Sequence, residues 1–298
     1  MLINQLGEFG LIERFKRLIK TDSSVIKGPG DDCAVLKLDK DRYQLLTSDM
    51  LVEDVDFTLK DSPYLIGRKS VAVSISDIAS CSGQPRYCVI SLGLPKNMPV
   101  VFVDKLFKGM LDIAKRYKVN IVGGDLSRSH KVVIDVSMLG VVEKKYLTLR
   151  SRACPGDIIF VSGELGGSIK GKHLKFNPRL KEARYLARNF KVNAMIDISD
   201  GLAQDLRHIL EQSDCGAVIY EDLIPFSKEA ESLFDALNNG EDFELLFTLP
   251  RREAKKLLKI KRVKFKAIGE IMKKNYGFKL IDKNKLQVDI QPKGFRHF

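Results

Sequence analysis

The 298-residue sequence has no tryptophan and only four histidines. Chemistry that needs a histidine base or a cluster of imidazole ligands has little to draw on. Cysteine is scarce too. Cys33, Cys81, Cys88, Cys154 and Cys215 are odd in number, widely spaced and free of any CxxC pair. That excludes a disulfide framework or a structural zinc site as the first reading and favours reduced thiols in a cytoplasmic protein. Long apolar runs are missing. Those ending at Val103 and around Ile158 to Val161 fall far short of the roughly 20 residues that span a bilayer, so no membrane partner is expected. The opening MLINQLGEFGLIERFKRLIK is charged where a secretory leader is apolar and reads as an amphipathic helix. No GxxxxGK[ST] occurs, and the HRD and DFG elements of protein kinases are absent. A nucleotide, if used, is held by another architecture.

What is present supports a folded enzyme. Hydrophobic residues make up 44% and charged residues 30%, a mix that builds cores and excludes a disordered chain. The length suits two domains. The net charge of +12 raises the question of a nucleic-acid partner. The basic residues concentrate in RREAKKLLKIKRVKFK, 251–266, where they alternate with apolar residues in helix-like and then strand-like patterns. That is the pattern of a solvated face, and no zinc-finger, RNP or basic-zipper motif accompanies it, so no nucleic acid is expected.

Three further helices are predicted. One opens at Ser62-Pro63 and stops near Gly83, one covers VDKLFKGMLDIAKRYK, and one covers DGLAQDLRHILEQS and closes at Cys215-Gly216. Strand-like runs are RYQLLTS, RYCVISLGL, NIVGG, KVVIDVSMLGVV, DIIFVSG, AMIDIS, GAVIYE, FELLFTL and FKAIGEI. They lack a strict βαβ rhythm, which predicts an α+β fold with mixed or antiparallel sheets and flanking helices. A boundary near Lys144 to Tyr146 divides the chain into domains 1–144 and 145–298.

The candidate chemistry lies in aspartates at the ends of apolar runs or in glycine turns. GPGDDCAV supplies Asp31 and Asp32, LLTSDML supplies Thr47, Ser48 and Asp49, and SISDIAS supplies Asp77 on a helix. IVGGDLSR supplies Asp125, MIDISDG supplies Asp197 and Asp200, and NNGEDFEL supplies Glu241 and Asp242. Any one of them reads as a cap or a turn residue. As a set, carboxylates gathered in one cleft repel and resist ionisation unless cations neutralise them. Mg²⁺, a hard ion that takes carboxylate, phosphate and water oxygens, meets that need. A Mg²⁺-rich cleft points to phosphoryl transfer. The glycine turns Gly28-Pro29-Gly30, Gly123-Gly124 and 163–167 read either as plain turns or as phosphate cradles, and Arg150 and Arg152 are candidate phosphate partners.

GEFGLIERF, GPGDDCAV, TSDMLVEDVDF, SVAVSISDIASCSGQP, IVGGDLSR, LTLRSRACPGD, IDISDGLAQDLRHI and NGEDFELLFT, with a closing KGF, resemble the thiamine-monophosphate kinase family in order and spacing over nearly the whole chain. That family sits in the ATP-binding superfamily of aminoimidazole ribonucleotide synthetase. The resemblance implies two α+β domains, an N-terminal one that binds ATP and Mg²⁺ and dimerises and a C-terminal one that completes the nucleotide and substrate site. It implies transfer of the ATP γ-phosphoryl to thiamine monophosphate in a homodimer, with several Mg²⁺ ions and room for a monovalent cation. Carried over by motif, Asp32, Thr47, Ser48, Asp49, Asp77, Asp125, Asp197 and Asp200 are the implied Mg²⁺ ligands, with Asp49, Asp125 and Asp200 at the catalytic centre. Tyr117, Gly124, Asp125, Arg150 and Ser199 are the implied nucleotide contacts, and Glu241 and Phe295 the substrate contacts. Two positions depart from the family pattern: Asp56 takes the place of a substrate-contacting His, and Ser129 follows Arg128 where Gly is common. The acceptor is an ionised phosphate oxygen, so no general base is needed, and His130, His173, His208 and His297 read as structural or exposed. The alternatives are another ATP-using enzyme of the superfamily and a catalytically silent homologue.

Overall fold

The structure is a computed structural model that describes residues 2–260 and 264–295. The N-terminal half opens with α1 (Ile3–Leu18), kinked at Gly7. It continues through β1 (Val25–Lys27), β2 (Ala34–Lys37), β3 (Arg42–Val52), α2 (Pro63–Ser80), β4 (Gln84–Leu94), α3 (Val100–Tyr117), β5 (Asn120–Arg128) and β6 (Val133–Glu143). The six strands form one sheet in the order β1-β2-β3-β6-β4-β5, antiparallel except for the parallel pair β4–β5. β6 shows why the sheet has two distinct faces. Its side chains alternate, with Ile134, Val136 and Met138 buried and Asp135 and Ser137 on the other side, the two-residue period of a strand that covers a core on one face.

The C-terminal half contains β7 (Ile158–Val161), α4 (Lys172–Lys175), α5 (Leu180–Asn189), β8 (Ala194–Asp197), α6 (Leu202–Ser213), β9 (Cys215–Tyr220), α7 (Leu233–Asn238), β10 (Leu245–Leu249), α8 (Arg251–Leu258), β11 (Lys266–Lys273), β12 (Phe278–Ile281) and β13 (Gln287–Asp289). Its seven strands run in the order β13-β12-β9-β11-β7-β10-β8, mostly antiparallel, with β9 and β12 parallel. Both faces of its centre are covered. Ile159, Ile196 and Leu246 join one core with α6, while Phe160, Met195 and Phe247 join another with α5 and α8. That is why these strands read as continuous apolar runs rather than alternating ones.

α2 belongs to both halves. It packs on β3 and β6 of the first sheet and on β8, α4 and α5 of the second half. Thirteen of its eighteen residues are buried, and the small side chains of Ser70, Ala72, Ser74, Ser76 and Ala79 let neighbours approach it on several sides.

The α+β class and the mixed sheets are as expected, and so are α2 and α3. Three details differ. α6 ends in the left-handed residue Asp214 (φ 52°), and Cys215-Gly216 already begin β9. β3 continues to Val52 beyond Asp49, and β5 to Arg128 beyond Asp125. These aspartates are thus inside strands, because pairing with long neighbours overrides the low strand preference of Asp. The short strands β1, β2, β12 and β13 carry too few residues to show a period. His297 and positions 261–263 of the basic run lie outside the described residues.

Candidate active site

α2 gathers the acidic residues. Asp77, near its end, accepts a hydrogen bond from the Thr47 hydroxyl on β3. One turn earlier, Ser74 donates to Asp49 Oδ2 at 2.7 Å. Ser76 crosses to the other half and donates to Asp197 Oδ2 at 2.6 Å, at the end of β8. Arg150 then ties in Asp32, donating through Nε to its Oδ1 at 2.9 Å and through a second nitrogen. The repeated Ile-Ser-Asp tripeptides therefore differ in setting. The first lies on α2, and its Ser76 bonds Asp197, which leads into the second.

These carboxylates are short of positive charge. Burial raises Asp49 to about 6, with Asp135 and Asp32 adding to the shift and the Ser74 bond opposing it. Burial raises Asp197 to about 8, reinforced by Asp32 and Asp49 and opposed by Ser76 and Arg150. Asp77 is pushed well above the usual carboxylate range by burial and by Asp49, Asp197 and Asp32. Asp31, whose carboxylate accepts the Arg150 backbone N–H, is raised to about 7 by burial and Asp32. Asp32 Oδ2 is buried with no hydrogen-bond partner among the described residues. An orphaned carboxylate oxygen within a group of mutually repelling carboxylates could hold a hard divalent cation.

The MIDISDG turn leads out of β8 into α6. Gly201 takes φ 112°, which side-chain-bearing residues rarely adopt. Asp205 Oδ2 then accepts the backbone N–H groups of Ser199, Asp200 and Gly201, each at 3.1 Å. Asp200, Asp205 and His208 each offer a ligand atom within 4.8 Å of the others. His208 is held neutral, pushed down to about 3 by burial and by Arg150, and packs edge-on against Phe9.

Beside this cluster opens a cavity of about 510 Å³. Its lining takes Asp49 and Asp56 from the first half and Ser199, Asp200, Glu241 and Phe295 from the second. Phe57, Phe243 and His173 add apolar and aromatic wall. His173 is buried, its Nδ1 at 2.9 Å from the Ser168 carbonyl. Phe295 N–H donates to the Asp200 carbonyl at 3.2 Å, which fixes the chain near its end against the turn. Asp56 accepts the Val52 N–H at 2.7 Å.

Other predicted residues stand elsewhere. Strand register puts Met50, Asp135, Ser91 and Asp125 in one row across the sheet, and Ser48, Ser137, Val89 and Gly123 in the next. These rows occupy the face opposite Thr47 and Asp49. The Ser48 hydroxyl accordingly meets Asp135 at 3.1 Å and Ser137 at 2.9 Å, not the Asp77 cluster. Gly124 is in β5, where a Cβ would stand 1.8 Å from the Ile90 carbonyl oxygen, so glycine is required by the close strand approach. Tyr117 donates to the Pro178 carbonyl at 3.2 Å and lines a separate cleft.

Sequence reading missed Lys69 and Asp205. Lys69 is fully buried in α2, and its Nζ donates to a Glu241 carboxylate oxygen and, at 2.8 Å, to the Asp56 carbonyl. Its signal was a lysine at the start of an otherwise small and apolar run, GRKSVAVSISD. Asp205 is an acid in the first turn of α6, a place the helix dipole favours, and nothing local in the sequence marks its loop contacts.

This arrangement has known counterparts. Residues 30–142 match the family model of the AIR synthase related protein N-terminal domain, and residues 155–281 match that of its C-terminal domain. The chain is 37% identical to the thiamine-monophosphate kinase of Buchnera aphidicola subsp. Acyrthosiphon pisum over 98% of both chains. It is 32% identical to that of Bacillus subtilis over 98% of this chain and all of the relative. A solved structure of AaThiL complexed with AMPPCP and TMP superposes with a TM-score of 0.88 at 30% identity, covering 100% of this chain and 99% of the other. Fold and site thus define an ATP-binding protein of the AIR synthase type. Within that class, the chain belongs to the thiamine-monophosphate kinase family.

Proposed function

We propose that this protein transfers the γ-phosphoryl group of ATP to thiamine monophosphate, giving thiamine diphosphate, by direct in-line attack. The observation that carries this reading is the cavity where Asp49 and Asp56 of one half face Ser199, Asp200, Glu241 and Phe295 of the other, against the buried acid cluster. A site shared by both halves suits a reaction that brings two anionic partners together. At 4 Å, two like charges repel by roughly 4 kcal/mol at an effective dielectric near 20. Several Mg²⁺ ions, when bound, supply the charge that offsets this repulsion. Asp32, Asp49, Asp77, Asp197 and Asp200 would hold them, with Thr47 beside Asp77. Asp125 and Ser48 enter this set through the family resemblance. Arg150 and Ser199 border the cluster as nucleotide contacts, and Gly124 enters that role through the family resemblance. Tyr117 has no support from the cavity for that role.

The acceptor phosphate is already ionised near neutral pH, so the protein needs to position rather than deprotonate it. His173, the cavity's histidine among the described residues, has its Nδ1 engaged with a backbone carbonyl. Phe295 and Glu241 would receive the cationic heterocycle, the aromatic ring by its face and the carboxylate by charge. Residues 1–144 would carry the metal and dimer surfaces, and 145–298 would close the substrate site. A homodimer through the first sheet is supported by its open face, where Leu46, Met50, Tyr87 and Val89 are exposed, and by β5, exposed at eight of its nine positions. We place the protein in the cytoplasm, where its five free cysteines stay reduced.

An ADP-release assay with Mg²⁺ and ATP tests the reading by comparing three acceptors. Thiamine monophosphate should stimulate release with matching thiamine diphosphate, while thiamine and formylglycinamidine ribonucleotide should not. Stimulation by the ribonucleotide alone would instead favour the synthetase-like alternative.

A further inference from the structure

We propose that His173 selects the acceptor, its ring nitrogen Nε2 accepting a hydrogen bond from the exocyclic amine of the acceptor's pyrimidine. This role rests on the function proposed above and adds a residue to it.

His173, in α4, is buried and lines the acid cavity. Its Nδ1 lies 2.9 Å from the Ser168 carbonyl. A carbonyl only accepts, so Nδ1 carries the proton and, in the neutral ring, Nε2 is an acceptor. The carbonyl is itself held in place. The Ser168 hydroxyl donates to one carboxylate oxygen of Asp242, whose other oxygen accepts the Gly166 N–H at 2.9 Å. Ser168 and Asp242 are both buried. Orientation and tautomer of the ring are therefore set by the protein before a ligand arrives.

The other ring nitrogen is left for a ligand. Nε2 has no partner among the described residues, and it is not sealed in, since the buried unpartnered side-chain atoms there are Asp32 Oδ2 and Gln204 Oε1. Its ring lines the cavity, so that is where Nε2 opens. His208 differs on each point. Its Nε2 meets the Gln204 amide nitrogen at 3.2 Å, its ring packs on Phe9, and it does not line the cavity. The cavity's polar groups away from the acid cluster also differ from His173. Asp54 pairs with Lys131 at 3.0 Å, and Asp56 accepts the Val52 N–H at 2.7 Å. Asp61 accepts the Thr58 N–H at 2.8 Å, and Glu241 accepts from Lys69. These are partnered carboxylates, which attract cations, whereas His173 offers a neutral acceptor that suits a neutral N–H.

The acceptor supplies the match. Its phosphate must reach the end of the cavity at Asp49 and Asp200, and Glu241 and Phe295 suit the cationic thiazolium. The pyrimidine is left for the remaining wall, which holds Phe57, Ile169, His173 and Phe243. Phe243 is braced there by Phe176, with ring centres 4.0 Å apart. Thiamine monophosphate has one N–H donor group, the exocyclic amine of that pyrimidine. A site that pairs an acceptor with a substrate N–H rejects an analogue without it, because the acceptor is then left unpaired.

The test compares thiamine monophosphate with the analogue in which a carbonyl oxygen replaces the exocyclic amine. The readout is the ratio of kcat/KM values from ADP release with Mg²⁺ and ATP. Wild-type protein should favour thiamine monophosphate by about tenfold or more. His173→Asn can keep a donor towards the Ser168 carbonyl but carries nothing at the Nε2 position, and His173→Phe keeps a ring without either nitrogen. Both should cut the ratio to below about threefold, chiefly by raising the KM for thiamine monophosphate. A folding defect lowers both rates alike and leaves the ratio in place, so a merely structural role would not move it. Where a variant turns over too slowly, the ratio of dissociation constants from equilibrium titration with Mg²⁺ reads the same preference. A wild-type ratio near one, or a ratio unchanged in both variants, would overturn the role of His173 and leave the kinase reading intact. Absence of wild-type turnover of thiamine monophosphate would overturn both.

Discussion

The acid cavity and the basic cleft beside Tyr117 have nearly equal volumes, about 510 and 520 Å³, and opposite charge. They differ in how the charge is held. In the acid cluster the carboxylates are short, largely buried and individually fixed by hydroxyl donors from α2 and β3. In the basic cleft, the long side chains of Arg86, Arg116, Lys118 and Lys181 are exposed and make no ion pair among the described residues. Burial turns the first into a site that must take up protons or cations, as the raised Asp49 and Asp197 record. Exposure lets the second keep its charge through solvation. The acid cavity thus holds its charge on fixed, buried carboxylates, whereas the basic cleft holds its charge on side chains that reach into solvent.

The sharpest way to break this contrast is to neutralise single acid residues. Asp49→Asn and Asp200→Asn should each lower kcat by roughly 100-fold or more, measured by ADP release with thiamine monophosphate. Asp49→Asn should nonetheless melt at or above the wild-type temperature without metal, because it removes a repelling charge. Near-wild-type turnover in both variants would remove the acid cavity from the reaction. A smaller effect is expected at Lys69, which joins α2 to Glu241 and to the Asp56 carbonyl. Lys69→Ala should cost about 3 kcal/mol of stability, the lower end for breaking a buried pair. It should also raise the KM for thiamine monophosphate more than it lowers kcat, since the walls that face the acceptor lose their tie. A variant with unchanged KM would reduce Lys69 to a purely structural role.

Much of this was legible in the chain. The α+β class, α2, α3 and the aspartate-bearing motifs follow from turn residues, helical spacing and apolar runs. Six predicted residues do line one cavity. What could not be read is whatever depends on which face a strand presents to which neighbour. Thr47 and Ser48 are adjacent in sequence, yet one bonds Asp77 and the other Asp135 on the opposite face. The resemblance assigns Tyr117 to the nucleotide, and only the fold shows that the end of α3 brings it into the basic cleft. The Lys69–Glu241 pair spans 172 positions, and no local pattern encodes such a contact.

Under the proposed function, the acid cluster holds divalent cations. In the metal-free protein, carboxylates raised above their unfolded values stabilise the fold while protonated, and that contribution is lost as pH rises through the folded values. Between Asp49 at about 6 and Asp197 at about 8, metal-free stability should therefore fall. Binding of Mg²⁺ should displace the remaining protons. Calorimetric titration of Mg²⁺ at pH 7 in two buffers of different ionisation enthalpy measures this directly. The account predicts net proton release that shrinks in Asp197→Asn. Binding without proton release, or no binding at all, would contradict it.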